Sequence, residues 1–316
     1  MAGPDPVAVK LKAELLRVVG ALAGEDAKAR FGVAVSGGPD SMALLDLAVQ
    51  AFPGRVEAAT VDHGLRAASS AEAAMVADWC RDHGIAHAIL HPAEPVAGNV
   101  QNWARAQRYT LLADWRTARR IDWIFTAHQA DDQLETLLMR LNRGAGVSGL
   151  AGIRARQGHV LRPLLGVRRT DLLAYARARA LPYVDDPSNS DPRFDRVAIR
   201  QHLKQVDWLD PQAAGRSAAV LAEVEDALDW MVDALEAQHV RREGEACLLD
   251  RTDLPREMLR RLLLRMVYRI DPAARPRGDT VDRAILAAQA GAKASIGEAL
   301  LIGGSCWTVR QAPPRR

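Results

Sequence analysis

Short apolar runs alternate with helical stretches through the first half of the chain. Apolar segments typical of buried strands occupy residues 33–35, 55–61, 85–90 and 123–126. Between them, apolar positions recur at helical spacing and predict helices over residues 6–24, 69–82, 101–119 and 131–141, with a further helix from Pro39. This alternation predicts an α/β fold with a doubly wound parallel sheet, which binds its ligand at the carboxyl edge of the strands.

The pattern changes after Gly144. Residues 143–152 are rich in glycine and predict a loop, and the polar residues 185–194 predict a segment outside the core. Helices are predicted over residues 170–180, 214–240, 254–270 and 280–290, with a short strand over 247–249 and a small hairpin of residues 300–302 and 307–309. We therefore predict a sheet domain over residues 1–210 and a smaller, mainly helical domain over residues 211–316.

Length and composition are those of an ordinary two-domain protein, with 316 residues and 48% hydrophobic content. The chain has no apolar run of membrane-spanning length, and residues 1–16 lack the features of a signal peptide, so we expect a cytoplasmic protein without a membrane partner. The three cysteines, Cys80, Cys247 and Cys306, lie far apart in apolar surroundings. They predict buried thiols and not a disulfide framework, a zinc site or an iron–sulfur site.

Positive charge is concentrated in one segment. The net charge is +3, but residues 154–204 contain 11 Lys or Arg against 5 Asp or Glu, a balance of +6, and the remaining 31 basic and 34 acidic residues give −3. A basic segment indicates a polyanionic partner or, alternatively, an arginine-rich surface exposed to solvent. Within it, Arg193, Arg196 and Arg200 recur at helical spacing beside Phe194, which suits a nucleic-acid backbone with one stacked base.

The segment Ser36-Gly37-Gly38-Pro39-Asp40-Ser41 joins the first strand to its helix. Its two glycines let a ligand approach the backbone, and the helix start presents free amides to an anion. Asp40 or Ser41 can cap this helix, with Pro39 at its first position. An ordinary turn is the alternative, but the two serines add hydroxyls for phosphate oxygens, and Asp40 adds a carboxylate suited to Mg²⁺. We therefore predict a phosphate-binding loop.

Two further stretches carry candidate binding residues, and the first of them lies at the same edge of the sheet. His63 follows the second predicted strand in the run Val61-Asp62-His63-Gly64-Leu65-Arg66, where a polar loop is the alternative explanation. Arg105 and Arg108 lie three residues apart and share one helix face, so they can bind phosphates or a carboxylate. A basic face exposed to solvent is the alternative for this pair.

A paired-carboxylate motif begins where the fourth predicted strand ends. Asp132 and Glu135 are three residues apart, so both carboxylates project from one face of a first helical turn. Helix capping is the alternative explanation for negative charge at this position. Because His128 lies at the strand end just before them, we predict a site that holds an ammonium group, a metal ion or both.

These motifs together resemble the tRNA(Ile)-lysidine synthase family. The glycine segment resembles the phosphate loop of the PP-loop ATP pyrophosphatases. The wider resemblance, dense over residues 31–201 and loose over residues 215–316, is carried by the runs SGGPDS, VDHGLR, ARAQRY, TAHQADDQLET, RGAGVSGLAG, RPLL and DDPSNSDPRFDR. It implies ATP-dependent adenylation of O2 of the wobble cytidine in the CAU anticodon of tRNA(Ile). The ε-amine of lysine then attacks C2, giving lysidine, AMP and pyrophosphate.

The resemblance also implies a role for each candidate residue. It assigns ATP binding to Ser36, Gly37, Gly38, Pro39, Asp40, Ser41 and His63, and Mg²⁺ to Asp40. It assigns catalysis to Asp40, His128, Asp132 and Glu135. It assigns lysine to Arg108, Asp132 and Glu135. It assigns tRNA to Arg193, Arg196 and Arg200, within a basic tRNA-binding segment near residues 154–204 and with help from the C-terminal domain.

Two other functions compete with this one. A tRNA thiolase of the same superfamily needs sulfur-carrying or cluster-binding cysteines, usually a CxxC pair, which Cys80, Cys247 and Cys306 do not form. A non-catalytic tRNA-binding protein with a relict nucleotide fold predicts a decayed phosphate loop, yet Ser36 and Asp40 are present. The expected ligands are thus ATP, Mg²⁺, L-lysine and tRNA(Ile), and a homodimer is an allowed assembly.

Overall fold

A computed structural model describes residues 6–65, 69–184, 195–203 and 205–313. The chain forms two compact units, Met1–Ala222 and Glu223–Arg316. The boundary predicted after residue 210 falls where the long helix Pro211–His239 begins, and the compact units divide within this helix. The domain division therefore stays a prediction. None of the helices in these described ranges is long and apolar enough to cross a membrane.

The first unit is built from alternating helices and strands. In chain order they are α1 (Pro6–Ala23), β1 (Phe31–Ala34), α2 (Pro39–Ala51), β2 (Val56–Val61), α3 (Ser69–Asp82), β3 (His87–Leu90), α4 (Val100–Arg119), β4 (Trp123–Phe125), α5 (Ala130–Asn142), α6 (Val147–Leu150), β5 (Arg156–Gln157), β6 (Val160–Leu161), α7 (Arg169–Ala178), α8 (Asp195–Leu203) and the start of α9 (Pro211–His239). The predicted strands and helices are confirmed with small shifts at their ends. The loop predicted over residues 143–152 is partly wrong, because it contains the short helix α6.

The strands of the first unit form one six-stranded sheet in the order β3-β2-β1-β4-β6-β5. All neighbouring pairs are parallel except β5 with β6. The doubly wound parallel sheet is thereby confirmed. Because β1 is central and its neighbours run parallel to it, the residues that follow β1, β2 and β4 meet at one edge.

The central strand is buried because helices cover it. Phe31 and Val33 of β1 are 3% and 0% exposed, and α2 buries Met42, Leu44 and Leu45 in the same core. Gly32 admits the ring of Trp115 from α4, since a Cβ there would lie 2.5 Å from the indole carbon Cζ3. This packing holds the carboxyl end of β1, and so the glycine segment, in a fixed position.

The second unit combines helices with an antiparallel sheet. It contains the end of α9, then β7 (Val240–Glu243), β8 (Ala246–Leu249), α10 (Arg256–Ile270), α11 (Gly278–Gln289), β9 (Lys293–Ile296), β10 (Ala299–Ile302) and β11 (Trp307–Gln311). The five strands are ordered β7-β8-β11-β10-β9. The predicted hairpin of β10 and β11 is confirmed, as is the strand β8. The edge strands β7 and β9 were not predicted, so only three of the five strands of this sheet were expected from the sequence.

Candidate active site

A cavity of about 870 Å³ opens at the carboxyl edge of the parallel sheet. Its wall brings together the phosphate loop, the segment after β2, one face of α4, the end of β4, and residues of α5, α7 and α8. Every one of these elements belongs to the first unit. The sequence motifs that were predicted to converge at this edge therefore do so.

The glycine segment forms the floor of the cavity. Gly37 has φ +83°, a left-handed conformation that glycine adopts without strain. Gly38 is the N-cap of α2 and Pro39 follows it, so the prediction that Asp40 or Ser41 caps this helix is wrong. Ser41 Oγ donates to the Gly38 carbonyl (2.9 Å) and accepts from the Ser36 amide (3.2 Å), which fixes the turn. No side chain caps α2. The Ser41 and Met42 amides bond to the Gly38 carbonyl (3.1 and 3.0 Å) and Pro39 has no N–H, so the Asp40 amide is the one in this turn that can meet an anion.

Asp40 projects from the first turn of α2 into the cavity. Its Oδ1 atom is buried and makes no hydrogen bond within the part of the chain that the structure describes. Its Oδ2 atom lies 3.8 Å from Nε of Arg169. Burial raises the pKa of Asp40 to about 6, with Arg169 opposing and Asp132 reinforcing this shift. A carboxylate oxygen without a partner beside a phosphate loop suits a divalent cation.

Asp62 and His63, in the run after β2, have different roles. Asp62 accepts hydrogen bonds from the Gly64 amide (2.9 Å) and from the hydroxyls of Ser69 (2.6 Å) and Ser70 (2.9 Å), so it holds the start of α3 beside the end of β2. His63 lines the cavity, and neither ring nitrogen has a hydrogen-bond partner among the described residues. Burial lowers the pKa of His63, so at neutral pH the ring offers one donor and one acceptor.

The basic face of α4 also reaches the cavity. Arg108 and Tyr109 line it, while the Arg105 guanidinium lies over the Tyr109 ring at 5.1 Å from the centroid. The two arginines thus have different environments, because Arg105 is stacked on the aromatic ring and Arg108 faces the cavity. Arg108 is available to bind an anionic group there.

His128 is a neutral residue within a positively charged wall. Its Nδ1 atom is 3.0 Å from Oγ1 of Thr126, at the end of β4. Burial and the charges of Arg162, Arg196, Arg105 and Arg108 lower the pKa of His128 to about 3. At neutral pH it therefore contributes hydrogen bonds to the cavity and no charge.

Asp132 and Glu135 lie on one face of α5, as predicted, but arginines of α8 already bind them. Arg200 donates from Nε and Nη2 to the two oxygens of Glu135 (2.7 and 3.0 Å). Arg196 donates from Nε to Glu135 (2.7 Å) and from Nη2 to Asp132 (2.8 Å). The two residue sets predicted for lysine and for tRNA are therefore in direct contact. Arg193 lies outside the described residues, as does the polar segment 185–194.

The acidic pair has unequal electrostatics. Burial raises the pKa of Asp132, and Arg196 only partly offsets this effect. Burial also favours the neutral form of Glu135, but the hydrogen bonds and charges of Arg200 and Arg196 outweigh it, so the pKa of Glu135 lies below its ordinary value. Asp132 in addition closes a capping box, since its Oδ2 accepts from the Gln129 amide at 3.1 Å. The capping role considered for this residue is therefore real.

Comparison with known proteins decides the family. Residues 9–206 match the PP-loop domain family. The chain is 40% identical over 297 residues to the tRNA(Ile)-lysidine synthase of Zymomonas mobilis, covering 91% of this chain and 90% of that protein. It is 41% identical to the one from Novosphingobium aromaticivorans, covering 92% and 91%. The chain belongs to the tRNA(Ile)-lysidine synthase family.

The fold is shared more widely than the family. A solved structure of the U34-tRNA thiolase NcsA from Methanococcus maripaludis, with its 4Fe-4S cluster, is similar with a TM-score of 0.57 and 18% identity, covering 69% of this chain and 80% of that one. This similarity supports the PP-loop architecture alone. Cys80 is 0% exposed within α3, and no cysteine lines the cavity in the described ranges.

Two arginines at or near the cavity were not among the candidate residues of the sequence analysis. Arg169, in the first turn of α7, lies 3.8 Å from Asp40 and 4.0 Å from Asp132. Arg162, 2% exposed, donates to the Arg154 carbonyl (2.7 Å), to Gln157 (3.1 Å) and to the Tyr109 hydroxyl (3.3 Å). A basic residue at a helix start opposes the helix dipole, so the position of Arg169 was a usable signal.

Proposed function

We propose that this chain is a tRNA(Ile)-lysidine synthase, an ATP-dependent ligase that forms a carbon–nitrogen bond. ATP adenylates O2 of the wobble cytidine of the CAU anticodon, and the lysine ε-amine then attacks C2 and expels AMP. Family membership over nearly the whole chain supports the activity. The observation that carries the mechanism is one cavity that joins an anion-binding glycine loop to Asp132. Glu135 lies behind the wall of this cavity, bound to Arg196 and Arg200, which do line it.

The phosphate loop serves the first step. As the bond between the α and β phosphates breaks, negative charge develops on the departing pyrophosphate. The amides of Gly37 and Gly38 are held in place by the turn, so they are proposed to stabilise that charge without reorganising. The hydroxyls of Ser36 and Ser41 donate within the loop and have to rotate to donate to a phosphate oxygen. His63 is proposed to contact the nucleotide and His128 the α-phosphate, each as a neutral hydrogen-bonding group.

Asp40 is the proposed Mg²⁺ ligand. The buried oxygen that has no partner in the described residues fits a hard cation, which prefers oxygen ligands. When bound, the ion neutralises charge on the phosphates of ATP.

The acidic pair serves the second step. The lysine ε-amine has an ordinary pKa of about 10.4, so it arrives as an ammonium ion and must lose a proton before it attacks. Asp132 and Glu135 are proposed to attract the ammonium group, and Arg108 to pair with the carboxylate of the amino acid. Since Arg196 bridges both acids, it has to move when lysine enters.

The tRNA is proposed to bind along the basic segment and the second unit. Arg193, Arg196 and Arg200 remain the proposed contacts, the latter two through Nη1, which binds no carboxylate of the described residues. The target cytidine must leave its stack to reach the cavity. We propose the cytoplasm as the location, because ATP, lysine and tRNA are all available there, and a homodimer stays a prediction.

The deciding experiment is mass spectrometry of tRNA nucleosides after incubation with the protein, ATP, Mg²⁺ and lysine. We expect a cytidine whose mass has increased by that of lysine minus water. Sulfur incorporation would instead support a thiolase. Binding of tRNA without AMP release would support a non-catalytic tRNA-binding protein.

A further inference from the structure

Both oxygens of Glu135 are occupied by arginine N–H groups. Arg200 binds them in a two-point fork, from Nε to Oε1 (2.7 Å) and from Nη2 to Oε2 (3.0 Å). Arg196 adds a third donor to Oε2 (2.7 Å). The Glu135 side chain is only 2% exposed. A free amino acid in the cavity therefore meets no two-oxygen face of Glu135 while Arg200 stays in place.

Asp132 offers a different kind of acceptor. Its Oδ2 atom is bound to the Gln129 amide at 3.1 Å. Its Oδ1 atom takes a single close donor, Nη2 of Arg196, at 2.8 Å. The residue lines the cavity with its side chain 13% exposed. Asp132 thus presents one oxygen to the cavity and acts as a point acceptor, not as a fork.

The two arginines are held unequally. Arg196 is 40% exposed and divides its donors between two carboxylates. Arg200 is 21% exposed and places both of its close donors on one carboxylate. A parallel two-point guanidinium–carboxylate pair is stronger than separate single contacts. Arg196 is accordingly the arginine that an incoming ammonium group displaces, and Arg200 remains on Glu135.

We propose that Arg200 is a specificity-determining residue, which makes the amino-acid site accept the ammonium group of lysine and reject the guanidinium group of arginine. The inference rests on the proposed lysine transfer. An ammonium group is a compact point charge that one oxygen of Asp132 satisfies, whereas a guanidinium group gains most from two parallel acceptors. Arg200 occupies the two-oxygen face that a free arginine would use.

Rejection of arginine matters because arginine resembles lysine in length and charge. Its guanidinium group stays protonated and is not a nucleophile, so bound arginine would block the site without reacting. Specificity of this kind is gained by removing the competitor's best contact as well as by binding the correct ligand.

The test is arginine inhibition of the complete reaction, with tRNA, ATP, Mg²⁺ and varied lysine. In the wild type we expect weak inhibition. In Arg200→Met, the ratio of the arginine inhibition constant to the lysine KM should fall at least about tenfold, because both oxygens of Glu135 become open to a ligand that displaces Arg196. In Arg200→Lys, the lysine ammonium group still occupies one oxygen of Glu135, so the ratio should fall less. The double variant Arg200→Met with Glu135→Gln should return toward the wild-type ratio.

Arg177→Met is the matched control. Arg177 lines the same cavity from α7 and contacts no carboxylate within the described residues, so its loss should leave the ratio unchanged. An unchanged ratio in Arg200→Met, or persistent arginine sensitivity in the double variant, overturns the inference.

A variant that is folded but inactive is tested by measuring how tightly it binds arginine. If Arg200→Met makes no lysidine, equilibrium dialysis with labelled arginine replaces the rate assay, and absence of added binding to the folded protein overturns the inference. If Arg200→Met does not fold, Arg200→Lys, which keeps the charge beside Glu135, carries the same comparison. If the wild type forms no lysidine, the proposed function is refuted. That outcome differs from failure of the Arg200 inference, in which the wild type is active and the variant shows no added sensitivity to arginine.

Discussion

The environment of Asp40 suits a bound cation, since its Oδ1 atom is buried without a hydrogen-bond partner in the described residues. We expect Asp40→Asn to slow pyrophosphate release by about 100-fold or more, because loss of a metal ligand removes several kcal/mol of charge stabilisation. The tRNA dissociation constant should not change, since Asp40 lies on the cavity floor. Pyrophosphate release and filter binding measure the two effects. Wild-type release by this variant at limiting Mg²⁺ would refute the metal assignment.

His128 makes stability depend on pH. In the unfolded chain its pKa is about 6.5, whereas burial and nearby arginines lower the folded value to about 3. As the pH falls from 7 to 5, the unfolded state binds the proton more tightly, so the free energy of unfolding falls. His128→Gln should lose about 2 kcal/mol less stability over this interval. Urea denaturation of both proteins at the two pH values measures it, and equal losses would contradict the neutral state.

Individual contacts divide into those that the sequence predicts and those that it does not. The residues that follow β1, β2 and β4 were predictable as neighbours, because parallel strands share an edge. The pairing of Glu135 with Arg196 and Arg200 was not, since 61 and 65 positions separate the partners and only the placement of α8 joins them. A motif shows which side chains are available, but it does not show which ones bind each other.

Helices α2 and α7 meet through a buried polar network that supports the cavity. The Tyr175 hydroxyl donates to Asp46 at 2.6 Å, and Gln50 and Arg179 bind the same carboxylate. This contact holds α7, and with it Arg169, opposite the phosphate loop.

Tyr175→Phe should lower the free energy of unfolding by about 1–3 kcal/mol, because it removes a donor from a buried carboxylate. Tyr268→Phe is the control, since Tyr268 is 42% exposed and should tolerate the change. Chemical denaturation of the two variants and the wild type provides the comparison. Equal stability of all three would show that the Tyr175 hydrogen bond contributes nothing net.

In the second unit the central strands were predictable, and the two edge strands were not. Strand β7 reads Val-Arg-Arg-Glu with three exposed residues, so neither an apolar run nor clear alternation marks it. Strand β9 begins with an exposed lysine and buries only Ile296. Charged residues are common on edge strands because they discourage pairing with other chains. Of the five strands in this sheet, the sequence therefore predicted only the three central ones.

At the scale of the molecule, charge counted along the sequence overstates the free basic surface. The segment of residues 154–204 has a balance of +6. In the fold, however, acids from outside the segment bind several of its arginines: Arg168 with Asp210, Arg179 with Asp46, and Arg196 and Arg200 with Glu135. A guanidinium group committed to a carboxylate releases few counterions when RNA binds. The salt dependence of tRNA binding should accordingly reflect fewer contacts than the charge count suggests.

Arg196 and Arg168 form a matched pair for measuring how much one arginine contributes to the salt dependence of tRNA binding. They are 40% and 44% exposed, and each is ion-paired, but only Arg196 lines the cavity. We expect Arg196→Gln to flatten the slope of log K against log salt by at most the roughly 0.7–0.9 of one phosphate contact, because only Nη1 can meet the RNA while Nε and Nη2 stay on the carboxylates. Arg168→Gln should keep the wild-type slope, because Arg168 is bound to Asp210 away from the cavity. Fluorescence anisotropy of labelled tRNA between about 50 and 200 mM salt gives the slopes. An unchanged slope in Arg196→Gln would place the tRNA elsewhere and leave Arg196 as a partner of the acidic pair alone.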